Sequence, residues 1–202
     1  MGDARRGRVR VAVLISGAGS NMAALIDAAA APDAPFEVVL VVSNKADVGG
    51  LAIAAAKGVP ARVVATGPHE GDRQAHEQAL DAVLLEYAVE VVALAGYMRL
   101  LTPWLVGRWT GRMLNIHPSL LPRYPGLDTH ARALAAGDTE AGCSVHLVTE
   151  GVDEGPVLAQ ARVPVLPDDT PASLAQRVLV AEHQLYPAAL AEFCQSKQIR
   201  SL

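Results

Sequence analysis

The sequence predicts a single α/β domain built on a mostly parallel central sheet with helices on both faces, and three observations predict it. Short β-branched runs alternate with longer alanine-rich segments in units of about thirty residues, which is the rhythm of βαβ connections. The first run, Val9–Ile15 (VRVAVLI), is apolar without interruption after Arg10, as a strand covered on both faces requires. The chain has 202 residues and is 51% hydrophobic, enough for one core and below the ~250 residues at which cores divide.

Each element follows from local chemistry. Gly17-Ala18-Gly19 stops the first strand, and residues 21–31 read as a helix. Residues 37–43 (EVVLVVS) form the second strand, 51–57 (LAIAAAK) the second helix with Gly58 past its end, and 62–65 a third strand. Ala79, Leu80, Val83, Leu84 and Tyr87 make the apolar stripe of an amphipathic helix over 76–87, ahead of the buried strand Val91–Leu94. The second half is less regular, because Pro103, Pro118, Pro122 and Pro125 break the pattern. Met113–His117 is a strand there, 118–126 a stiff proline-rich loop and 129–136 a helix. Residues 144–148 and 157–163 are strands around the turn-rich 149–155, and 171–193 is a long helix interrupted at Pro187. No repeat or low-complexity linker divides the chain, so residues 1–202 read as one domain with a flexible leader over 1–8.

Composition excludes several function classes. Lys plus Arg is 17 against 21 Asp plus Glu, a net charge of -4, which argues against a nucleic-acid partner or an anionic membrane surface. The basic leader (Arg5, Arg6, Arg8, Arg10) imitates an export signal, but the apolar run behind it ends at Ser16 after five residues, short of the ~7–15 of a signal core. Cys143 and Cys194 are far apart and lack CxxC or Cys/His spacing, while His69, His76 and His130 show no ligand spacing. We therefore expect a cytoplasmic protein without a metal, monomeric or homodimeric.

Three features carry chemistry. The turn Ser16-Gly17-Ala18-Gly19-Ser20-Asn21 joins a strand to a helix start, where backbone N–H groups and the Ser20 hydroxyl meet a phosphate; the bland alternative is a tight turn capped by Ser20 or Asn21. Met22 and Ser43-Asn44-Lys45 stand where a dinucleotide fingerprint needs glycine and an acid, which disfavours NAD and leaves an NADP oxidoreductase as runner-up. Asn115 and His117, two apart at the carboxyl end of a strand, project to one face, so an amide donor and an imidazole meet where open α/β sheets bind ligands. Such a pair suits a carbonyl undergoing addition, the amide holding the oxyanion. Asp153 lies in an acidic turn, and if folding brings it to His117 it would favour the imidazolium and hold a relaying water. Ser144 and His146 are placed to support that cluster, and Cys143 beside them reads as apolar packing.

The run Leu114-Asn115-Ile116-His117-Pro118-Ser119-Leu120-Leu121-Pro122 resembles the folate-dependent formyltransferases, which move a formyl group from 10-formyltetrahydrofolate to an amine. The likeness extends through Ser16-Gly17, Gly19-Ser20-Asn21, Ser43-Asn44-Lys45-Ala46-Asp47, Ala95-Gly96-Tyr97-Met98-Arg99, Tyr124-Pro125-Gly126 and Glu182-His183 with Tyr186-Pro187. It implies a Rossmann-like formyltransferase fold, with a phosphate-binding N-terminal half and a folate-binding C-terminal half. It also implies small-molecule substrates: 10-formyltetrahydrofolate as formyl donor and glycinamide ribonucleotide of purine synthesis as acceptor. On that resemblance Asn115, His117 and Asp153 are catalytic, Gly19, Ser20 and Asn21 hold the ribonucleotide phosphate, and Leu179, Val180, Ala181 and Glu182 meet its glycinamide end. Arg73, Met98, Arg99, Leu100, Leu101, Asn115 and Thr149, Glu150, Gly151, Val152 and Asp153 would contact the folate. Relatives that formylate methionyl-tRNA or hydrolyse the donor carry an additional domain, for which this length leaves no room. A hydrolase, transfer to another amine and a non-catalytic nucleotide-binding module are the alternatives. Ala18 and Asp128 depart from the family pattern, where Asn and His are frequent.

Overall fold

The computed structural model describes residues 7–67 and 71–200, with side chains to residue 197. Arg5, Arg6 and His69 lie outside the described residues. Arg8, the last residue of the expected flexible leader, is anchored instead: its Nε donates to the Phe36 carbonyl (2.9 Å).

The elements run β1 (Val9–Ile15), α1 (Ser20–Ala29), β2 (Phe36–Ser43), α2 (Gly49–Ala56), β3 (Ala61–Val63), α3 (Arg73–Glu86) and β4 (Val91–Leu94). They continue with α4 (Pro103–Arg108), β5 (Met113–His117), α5 (Thr129–Ala135), β6 (Glu140–Leu147), β7 (Val157–Pro164) and α6 (Pro171–Arg200). One seven-stranded sheet has the order β3-β2-β1-β4-β5-β6-β7. The pairs from β3 through β5 are parallel, and β5-β6 and β6-β7 are antiparallel. The mostly parallel sheet expected from the rhythm is present.

Strand periodicity sorts side chains between two cores. Val11, Val13 and Ile15 of β1 pack with Met22 and Leu25 of α1 and Leu174, Val178 and Leu190 of α6. Ala12 and Leu14 face the other way, toward Leu80 and Leu84 of α3, Leu105 of α4 and Trp109. Helices therefore cover both faces. The same alternation places Met113 in the second core and Leu114 and Ile116 in the first. Asn115 and His117 consequently look out on the α3–α4 side, and so do Ser144 and His146, their cross-strand partners on β6.

Three expectations are corrected. Helix α4 was not foreseen, because Pro103 read only as a breaker, whereas it occupies the first turn, where a missing N–H costs nothing. Strand β6 starts at Glu140 rather than 144, since pairing with β7 carries it through Gly142, where an added Cβ would sit 2.0 Å from the Ala161 carbonyl oxygen. Helix α6 is continuous through Pro187. Buried Tyr186, Ala189 and Leu190 pin it to the sheet on both sides of the proline, and the Tyr186 hydroxyl is shared between the carbonyls of Leu94 (3.1 Å) and Leu114 (3.2 Å). Tertiary packing thus outweighs the lost helical bond.

Two buried carboxylates one turn apart on α3 hold α4. Glu77 accepts from the Thr102 N–H (2.7 Å) and the Thr102 hydroxyl, and Asp81 from Arg108 Nη2 (2.9 Å) and Trp109 Nε1 (2.9 Å). Glu77→Ala leaves the Thr102 donors without this partner and is expected to destabilise the fold by about 1–3 kcal/mol. Urea unfolding with an unchanged slope would register this as a lower midpoint; an unmoved midpoint would show that water replaces the carboxylate. No described helix is long and apolar enough to cross a membrane.

Candidate active site

At the carboxyl end of β5 the chain presents Asn115 and His117 on one face, with His146 and Ser144 directly opposite on β6. The turn after β6 folds back over this face and delivers Asp153, at φ +56°, a left-handed conformation that aspartate tolerates better than most residues. Asp153 Oδ2 lies 3.2 Å from His117 Nδ1, and its Oδ1 lies 3.4 Å from His146 Nε2 and 3.5 Å from Asn115 Nδ2. Folding thus brings together the three residues that sequence spacing could not join.

Hydrogen bonds fix the roles of the two rings. His117 Nε2 donates to the Tyr124 carbonyl (2.9 Å) while Nδ1 faces the carboxylate, so both nitrogens meet acceptors, the arrangement that suits an imidazolium. His146 Nδ1 donates to the Leu147 carbonyl (2.9 Å). Its Nε2, 3.1 Å from Asn115 Nδ2, accepts from the amide when the ring is neutral and donates to Asp153 when it is charged. Asn115 Nδ2 is thus oriented by His146 and, at longer range, by Asp153. Burial alone would raise the Asp153 carboxyl, but the His146 ring, the Gly126 N–H (2.9 Å) and the charge of His117 outweigh it and hold the carboxyl below the ordinary value of 3.8.

The proline-rich loop after β5 is also tied down by hydrogen bonds. Ser144 Oγ accepts from the Leu121 N–H (3.0 Å) and donates to the Ser119 carbonyl (2.6 Å), and Gln160 Nε2 reaches both Ser144 Oγ (2.8 Å) and the Leu121 carbonyl (2.9 Å). The Tyr124 carbonyl, the Gly126 N–H and Gln160 are parts of the site that sequence reasoning missed. The first two are backbone groups with no residue signature, and Gln160 sits 39 positions from its Leu121 partner.

The glycine-rich turn forms a helix start without a side-chain cap. Gly19 is the N-cap at φ +77°, so neither Ser20 nor Asn21 caps α1, and of the plain alternative the tight turn remains. The turn is packed tightly: a Cβ on Gly19 would meet the Gly50 Cα at 2.8 Å. Asn21 Nδ2 instead donates to Glu182 Oε2 (2.7 Å), which joins the turn to α6. Burial raises the Glu182 carboxyl above its ordinary value, and the Asn21 bond offsets part of the rise. Leu179 is half-buried, whereas Val180 and Ala181 line an open groove of about 600 Å³ between β7 and α6, apart from the Asn21–Glu182 contact.

On either side of β5, exposed apolar Met98 and Leu100 leave β4 and Val152 stands in the turn after β6. Arg99, Leu101 and Gly151 are half-buried between them, and Thr149 and Glu150 are exposed. Arg73 is exposed at the start of α3. The Met98 N–H donates to Ser16 Oγ (2.8 Å), whose hydroxyl donates to Asn44 Oδ1 (2.6 Å), so the ends of β1, β2 and β4 are tied together beneath this segment. Cys143 is fully buried, and burial, with the charge of Glu182, pushes its thiol up to about 12, as expected for packing rather than nucleophilic chemistry.

An amide, an imidazole and a carboxylate converging on one face of an open α/β sheet suit an enzyme that works on a carbonyl carbon. The family profile described as formyl transferase matches residues 9–190. The phosphoribosylglycinamide formyltransferase of Escherichia coli (strain K12) is 44% identical over 189 residues, covering 94% of this chain and 89% of that protein. The trifunctional purine biosynthetic protein adenosine-3 of Homo sapiens is 48% identical over 183 residues, and the chain spans 18% of its length. A crystal structure of phosphoribosylglycinamide formyltransferase from Brucella melitensis superposes with a TM-score of 0.89 at 55% identity, covering 93% of this chain and 96% of that one. The chain belongs to the formyl transferase family.

Proposed function

We propose that the chain transfers the formyl group of 10-formyltetrahydrofolate to the amine of glycinamide ribonucleotide, yielding the formylated ribonucleotide and tetrahydrofolate in the cytoplasm. The observation that carries this reading is His117, bonded through one nitrogen to a backbone carbonyl and with the other 3.2 Å from the Asp153 carboxylate, with the Asn115 amide on the same face. The neutral amine attacks the formyl carbon and produces a tetrahedral oxyanion. Asn115 Nδ2 donates to that oxygen, the charge of a protonated His117 stabilises it through space, and collapse expels N10 of the folate. The departing nitrogen gains a proton as the attacking amine loses one, through His117 or a water held by Asp153. No covalent intermediate with the enzyme is required, and much of the rate comes from holding two large substrates in register.

The folate sits against Met98 to Leu101 and the 149–153 turn, with Arg73 at its periphery. The ribonucleotide phosphate meets Gly19, Ser20 and Asn21 at the uncapped start of α1, where N–H groups and the helix dipole favour an anion. Glu182, with Leu179, Val180 and Ala181, faces the glycinamide end. The reading takes residues 1–202 as one domain with its phosphate site in the N-terminal half.

Folate absorbance during incubation with donor and ribonucleotide, beside a reaction lacking the ribonucleotide, tests the proposal. Turnover only with the amine present supports the transferase. Equal turnover without it identifies a hydrolase, and no turnover in either returns a binding module. Ser20→Ala is expected to raise KM for the ribonucleotide and leave KM for the folate unchanged; an unchanged ribonucleotide KM would remove the hydroxyl from the phosphate site.

A further inference from the structure

The segment between Tyr124 and Gly126 is the backbone joint of the candidate site. The Tyr124 carbonyl accepts from His117 Nε2 (2.9 Å), and two residues later the Gly126 N–H donates to Asp153 Oδ2 (2.9 Å). The joint is bent sharply, with Tyr124 at φ +53°, Gly126 at +78° and Asp128 at +58°. For tyrosine that left-handed conformation is unfavourable and persists only where its surroundings impose it.

The groups that impose it lie outside the site. Arg132, on α5, donates through Nη1 to the carbonyls of Pro125 (2.6 Å) and Leu127 (3.2 Å), and its guanidinium lies 5.2 Å from the centroid of the Tyr124 ring. The Tyr124 hydroxyl donates to Asp138 Oδ2 (2.8 Å), and Arg123 Nη1 bonds the other oxygen of that carboxylate (3.2 Å). The bend is therefore held from its outer side by a stacked cation, two carbonyl bonds and a carboxylate. Exposed contacts of this kind contribute little to global stability, so their value lies in local geometry.

We propose that Arg132, with Tyr124 and Asp138, is a positioning brace that sets the His117–Asp153 geometry for the transfer reaction, an inference that rests on the function proposed above. Guanidinium chemistry is specific here. One nitrogen, Nη1, donates to both carbonyls while the planar guanidinium lies over the ring, whereas a lysine ammonium can keep a carbonyl bond but has no planar group to stack.

The test compares Arg132→Ala, Arg132→Lys and Tyr124→Phe by steady-state kinetics, melting temperature and the ring ¹⁵N–¹H NMR signals of His117 without substrates. Arg132→Ala is expected to lower kcat about ten- to a hundredfold, as small displacements of reacting groups do, with KM for both substrates nearly unchanged. Its melting temperature should stay close to wild type and the His117 ring signals should shift. Arg132→Lys should recover part of the loss, and Tyr124→Phe should show a smaller loss in the same direction. Wild-type kcat with unshifted ring signals in Arg132→Ala would overturn the brace. So would a loss of kcat that tracks a falling melting temperature and recurs undiminished in the lysine variant. If the wild-type protein shows no formyl transfer, the functional reading fails while the ring signals still decide whether the brace holds His117.

Discussion

Asn115→Ala is expected to lower kcat by about 10²–10³, the cost of removing one preorganised oxyanion donor, while KM for either substrate changes far less. The expectation follows from where the amide is held. Its Nδ2 lies 3.1 Å from His146 Nε2 and 3.5 Å from Asp153 Oδ1, so the amide is held in place on the face shared with His117. The pre-alignment needs no reorganisation when the formyl oxygen acquires charge, and this is the condition under which a single hydrogen bond has its largest effect on rate. The variant also leaves His146 Nε2 without its amide donor, but the ring keeps its bond to the Leu147 carbonyl, so the loss should be kinetic rather than structural. Single-turnover measurement with both substrates saturating separates the two. A kcat near wild type would take Asn115 out of the chemistry, and a collapse of the folded baseline would make it a structural residue.

Much of this architecture is legible in the sequence because burial on both faces leaves a plain signature. β4 is a continuous apolar run, β1 is one after Arg10, and β5 interleaves Asn115 and His117 with apolar residues before Pro118; their bounds in the structure are those the sequence predicts. The glycine-rich turn and the Asn-x-His pair are equally legible, since each depends on adjacent residues at a strand end. What depends on contacts between distant segments is not. Strand β6 gains its first four residues from β7, and α4 owes its place to carboxylates on α3, 25 positions away in the case of Glu77 and Thr102. Helix α6 passes Pro187 only because the sheet holds both sides of it. Asp153 illustrates both limits. Its residue type suggests a role, its turn suggests a solvated hairpin tip, and only the fold-back of the chain over β5 decides between them.

Asp153→Asn is expected to cost about 10²–10⁴ in kcat, the range associated with losing a positioned acid–base partner. The substitution is close to isosteric, and asparagine accepts the left-handed φ of +56° as readily as aspartate, so the turn and the Gly126 contact have no steric reason to move. What disappears is the negative charge 3.2 Å from His117 Nδ1, on which the proposed proton transfer relies. The stability consequence has a definite sign. Because the folded-state carboxyl titrates below its ordinary value of 3.8, its ionised form contributes stability that is fully present above the unfolded value and is lost as pH falls through the lower folded one. The urea midpoint of Asp153→Asn should therefore lie below wild type at neutral pH, and the gap should close once the medium is acidic enough to protonate the wild-type carboxyl. Activity gives an independent reading, since wild-type Asp153 stays ionised throughout the neutral range and contributes no titration there. A variant with wild-type kcat would exclude the carboxylate from the reaction. A stability gap that persists unchanged into strong acid would trace the stability effect to packing and leave the charge of Asp153 without a part in folding.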